Sequence, residues 1–210
     1  MEENKYLLYS HYGIKASDSG SKIIYKAAKR SYLDFCRRVY IPNHIPMERR
    51  SALERETEKL LSDRIPALLE TAGHEGSCQE AFDSRHQEIC KAVIGVYDGV
   101  GGLSYGIAQR WLNLTLMNLA VIESNLKTGY WPIAEVRKYF HVERYLLEAA
   151  ATWRKDRFQH SLGLQCAPLR HDNPDLYQMD WFSPGETQPF EYWGYSEYME
   201  FQVAVRDKLI

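Results

Sequence analysis

Apolar residues recur at helical spacing along most of the chain. Over 21–40, Ile24, Ala27, Ala28, Ser31, Phe35 and Val39 share one face while Lys and Arg occupy the others, which predicts a helix ending before Pro42. Pro46 opens a second helix with Glu48 in its first turn, where the helix dipole favours a carboxylate. The Ala, Leu, Glu, Arg and Lys content of 51–61 sustains it, Pro66 is expected to kink or restart it, and Gly73 to end it. Ser77 and Glu80 have capping-box spacing, so a third helix is expected from Cys78, burying Phe82, His86, Ile89, Val93 and Tyr97. Asp98, Gly99, Gly101 and Gly102 then break the pattern.

The segment 104–123, SYGIAQRWLNLTLMNLAVIE, departs from an ordinary amphipathic stripe. It is apolar on nearly every side, which predicts a central helix capped by Ser104 with Trp111, Leu114 and Leu119 buried. Yet it carries Gln109, Arg110, Asn113, Thr115 and Asn118. A buried polar group left unpaired costs about 1–3 kcal/mol, so these side chains imply either an internal hydrogen-bond network or a ligand site. Gln109, Arg110 and Asn113 are the candidate ligand-binding residues, and Gln109 and Asn113, four apart, are expected to bond to other segments.

Further on, a loop through Asn125, Gly129 and Pro132 leads to a short helix over 133–140 and another over 142–157 that buries Tyr145, Leu146, Ala149 and Trp153. Residues 1–17 show no clear period, and Gly13 with 17–20 marks a turn. Region 161–194 is rich in Pro and Gly but holds Trp181, Phe182, Phe190 and Trp193 among other large apolar residues, which predicts an ordered, irregular excursion packed on the helices. Ser196 is expected to cap a C-terminal helix over 196–208.

These elements define an all-α fold: a single compact multi-helix domain over 1–210, with a long aromatic and Pro-rich loop region before the last helix. A chain of 210 residues is long enough to bury one sizeable core, and its middle shows no linker composition. A formal charge of -2 lacks the footprint of a dedicated nucleic-acid binder and leaves room only for local basic patches at 22–38 and 154–157. The start MEENKYLLYS has no apolar signal core and no stretch has the length of a membrane span, so a cytoplasmic protein without membrane contact is expected.

Cys36, Cys78, Cys90 and Cys166 form no C-x-x-C pair and read as reduced thiols. His74, Cys78, His86 and Cys90 give two H-x3-C pairs, but Gly73 and Gly76 flank the first and the spacing matches no common zinc module. No metal and no cofactor is therefore expected.

The strings FDSRHQEIC, LSYGIAQRWLNLTL, YFHVERYLLEAA and YSEYMEFQ resemble a pattern in uncharacterised bacterial proteins of similar length. There, a Gly-x-Ala-Gln-Lys/Arg-Trp-x-Asn helix precedes a tail helix with Tyr and Phe-Gln. The resemblance covers about residues 80–206. It implies a bacterial protein folding as one unit and carries over no activity and no catalytic residue.

Three functional classes remain open, and so does the question whether the protein is an enzyme. The leading expectation is a non-catalytic interaction or ligand-binding protein of a bacterial system that meets a protein partner through the Trp181, Phe182, Phe190 and Trp193 region, since aromatics rimmed by polar residues mark interfaces. A second is a metal-independent ribonuclease or toxin of HEPN type, which the chain resembles in its helices and in Arg154 followed by His160. In that chemistry His moves the proton and Arg stabilises the phosphorane. Lys155 departs from the polar uncharged or acidic residue usual directly after that Arg. A third is nucleotide or phosphate binding at the Gly99–Gly106 loop, which would require AVIGVY to be a strand ahead of the glycines.

Overall fold

A computed structural model describes residues 2–35, 39, 41–73, 79–101, 103–136, 139–141, 194–196, 198–199 and 202–203. The chain divides into two compact units, Met1–Phe140 and His141–Ile210. In the first unit the described helices are α1 (Glu2–Tyr12), α2 (Gly20–Phe35), α3 (Met47–Gly73), α4 (Gln79–Val96), α5 (Tyr105–Leu126) and the single turn α6 (Ile133–Val136). No strand occurs among the described residues, so the all-α expectation holds.

Helices α2, α3, α4 and α5 pack in a ring, each on the next and α5 back on α2, which makes a four-helix bundle with neighbours in chain order. Each presents an apolar stripe to the bundle axis. On α2 this is Ile24, Ala27, Ala28 and Ser31, as the spacing predicts; on α4 it is Phe82, His86, Ile89 and Val93, continuing to Tyr97. On α3 the stripe comprises Leu53, Thr57, Leu61, Ile65, Leu68 and Leu69. Helix α1 lies against α2 and α5, and α6 touches α3 and α5 across the diagonal of the ring. With α1 over its outer side, α5 is buried on almost every face from Tyr105 to Leu116, with Trp111, Leu114 and Leu119 inside.

At four places the structure decides what the pattern leaves open or differs from it. Residues 2–12 form a helix although no period is visible there, because α1 has apolar side chains on both sides: Tyr12 is buried while Tyr6 and Leu7 face out. It stops in a Schellman motif, with Ile14 N donating to Tyr9 O at 2.9 Å, Gly13 N to Ser10 O at 3.2 Å, and Gly13 in the left-handed region at φ 62. Helix α3 continues through Pro66 without restarting; its flanking turns are held by Ile65, Leu68 and Leu69 in the core. AVIGVY belongs to the end of α4 and the turn after it, where burial keeps the helical period, so the strand that a phosphate-cradling loop would need is replaced by helix. In the last segment Tyr195 is already helical and Gly194 O accepts from Tyr198 N at 3.2 Å, so the helix begins ahead of Ser196.

The boundary at Ser104 is as predicted: its hydroxyl accepts from Ile107 N at 3.2 Å. At the other end of α5, Lys127 is left-handed at φ 51 and the Glu123 carboxylate takes Gly129 N at 2.7 Å and the Thr128 hydroxyl. This turn returns Tyr130 and Trp131 onto the first turn of α2, where a Cβ on Gly20 would lie 3.1 Å from Trp131 Cζ2. Of the expected helix over 133–140, Ile133–Val136 is α-helical and Tyr139 lies in a 3-10 turn. The predicted helix 142–157 and residues 161–193 of the excursion lie outside the described residues.

Candidate functional site

The polar residues of α5 form the chemically richest cluster of the first unit. Gln109 and Asn113 are one turn apart on the same face, and His86 of α4 meets them across the α4–α5 seam. Gln109 Nε2 donates to Gly106 O at 2.9 Å, and Asn113 Nδ2 donates to Gln109 Oε1 at 2.7 Å. That leaves Asn113 Oδ1 as an acceptor, 2.8 Å from His86 Nε2, so the imidazole carries its proton on Nε2. The other ring nitrogen, Nδ1, then faces Cys90 Sγ at 3.7 Å as an acceptor for the thiol proton. The result is one directed line of donors, from the Cys90 thiol through His86, Asn113 and Gln109 to the carbonyl of Gly106.

All four side chains are enclosed: Gln109, His86 and Cys90 are 0% exposed and Asn113 is 2% exposed. The expectation that Asn113 bonds to another segment is met through α4, whereas the two described bonds of Gln109 stay within α5. Arg110 is half-buried and none of these bonds involves it. Of the two H-x3-C pairs, His86 and Cys90 share a helix face as the spacing implies, but both ring nitrogens face protein partners; His74 and Cys78 lie outside the described residues.

Thiol, imidazole and amide stand here in the order that cysteine hydrolases use to activate a nucleophile. An attacking sulfur also needs an open side from which a carbonyl carbon can approach, and a place for the oxyanion. Cys90 lies mid-helix with no exposed surface. A closed line of matched partners at this position locks the contact between α4 and α5.

A second polar line joins α1, α2 and α5. Tyr12 Oη donates to Asn118 Oδ1 at 3.0 Å, Asn118 Nδ2 to Ser31 Oγ at 2.8 Å, and Ser31 Oγ to Ala27 O at 2.8 Å. Two turns earlier on α5, Trp111 Nε1 donates to Ala28 O at 2.9 Å. Below these contacts Asp18, 4% exposed, accepts from Lys15 N at 2.7 Å and from Lys26 Nζ at 2.5 Å, with Lys22 Nζ at 3.2 Å. The Lys26 hydrogen bond, helped by Lys15 N and Lys22, holds the Asp18 carboxyl far below the usual range against the cost of burial.

Glu58 of α3 is another enclosed carboxyl, 3% exposed. Burial pushes it above the ordinary carboxylate range, while the facing Tyr25 hydroxyl and the charge of Lys29 work the other way. Burial, helped by Glu58, likewise pushes the Tyr25 hydroxyl up to about 12. Tyr97 follows α4 and is also pushed up to about 12, chiefly by burial; its hydroxyl faces Thr57 without meeting hydrogen-bond geometry to a described group. Neither Asp18 nor Glu58 is singled out by the sequence reading. Glu58 had a signal, since it stands in register with Leu61, Ile65 and Leu68 on the inner stripe of α3.

In the second unit His141 Nδ1 and Tyr198 Oη are 2.5 Å apart, and His141, Tyr198 and Gln202 are buried. The ribonuclease candidates Arg154 and His160 and the interface candidates Trp181, Phe182, Phe190 and Trp193 lie outside the described residues. No helix among the described residues is long and apolar enough to cross a membrane. No protein-family model, curated protein or solved structure matches the chain.

Proposed function

We propose that the protein is a helical binding protein of a bacterial system that acts through contact with a partner or ligand and performs no chemistry at the α4–α5 seam. The observation that carries this reading is the enclosure of the Cys90–His86–Asn113–Gln109 line, whose side chains bond to one another in sequence and are buried. Buried polar chains of this kind fix helix register and specify one packing. The mixed charges on the outer sides of α3 and α4, with Arg49–Glu56 at 3.0 Å and Arg85–Glu88 at 2.8 Å, suit solvated faces rather than a substrate cleft.

One specific observation favours a second reading, cysteine hydrolysis: the order of thiol, imidazole and amide. The two readings differ in access to sulfur. Iodoacetamide labelling of the native protein, mapped by mass spectrometry, should leave Cys90 unmodified until denaturant is added; ready labelling of native Cys90 would favour the hydrolase. The ribonuclease reading is tested separately, by incubating RNA with the protein in chelator. Intact RNA is the expected result, and cleavage lost in His160→Ala would replace the binding reading.

A further inference from the structure

We draw no further inference here: the strongest candidate, the Glu58–Tyr25–Tyr97 side-chain cluster where α2, α3 and the turn after α4 meet, carries nothing because its Tyr97 hydroxyl is closed to solvent and nothing among the described residues shows a space beside it that a ligand could enter.

Discussion

Asn113 is the residue on which the two halves of the α4–α5 contact depend, since its amide both accepts from His86 and donates to Gln109. Asn113→Leu keeps the volume and strands an imidazole N–H and an amide oxygen in the core. It should lower unfolding free energy by about 1–3 kcal/mol in chemical denaturation. A double-mutant cycle with His86→Phe should give a coupling of about 0.5 kcal/mol or more, and purely additive losses would contradict the bond line. Two enclosed carboxyls, Asp18 and Glu58, act in opposite directions with pH. Asp18 is held low, so its contribution is full above the ordinary carboxylate range and is lost as pH falls through that range towards its folded value. Glu58 is held high, so the folded state favours its neutral form; stability is greatest below the ordinary range and declines as pH rises from it through the raised folded value. Glu58→Gln should therefore flatten that decline and match or exceed the parent in stability above it. A decline of unchanged steepness in the variant would show that another group causes it.

At the scale of elements, the ends are set by single residues. Ser104 caps α5 by accepting from Ile107 N, and Ser104→Ala should cost about 1 kcal/mol; a Tm unchanged by that substitution would mean the first turn is held by packing alone. Gly13 closes α1 with a positive φ, so Gly13→Ala should also cost about 1 kcal/mol. These two caps illustrate how much the sequence discloses. Ser104 is legible because a strong apolar period follows it, and the inner faces of α2, α4 and α5 are legible for the same reason. Helix α1 is not, because Tyr6 and Leu7 place apolar groups on the outer side and blur the period; Gly13 was a visible stop signal without a visible helix ahead of it. Pro66 leaves open whether the helix restarts, and it does not, because local propensity yields to the apolar contacts of the turns on both sides of it. In the candidate site, Gln109 and Asn113 are legible as polar residues on an apolar helix. Their link to His86 and Cys90 is not, since it depends on which helices become neighbours.

On the scale of the first unit, α5 is a ring member whose outer side is covered by α1, and a helix enclosed in this way carries polar side chains only where they are matched from within. That requirement accounts for the two polar lines, one reaching α4 and the other reaching α1 and α2. In this unit the chemically richest line, from Cys90 to Gly106, is therefore enclosed by the packing. The central claim, that the Cys90–His86–Asn113 line is a closed structural element, is tested most directly by the alkylation rate of Cys90 in the folded protein. The account predicts that Cys90 stays unmodified by iodoacetamide in the native state and is modified once denaturant unfolds the chain. Modification of native Cys90 at the rate of an exposed thiol, lost in His86→Phe, would contradict it.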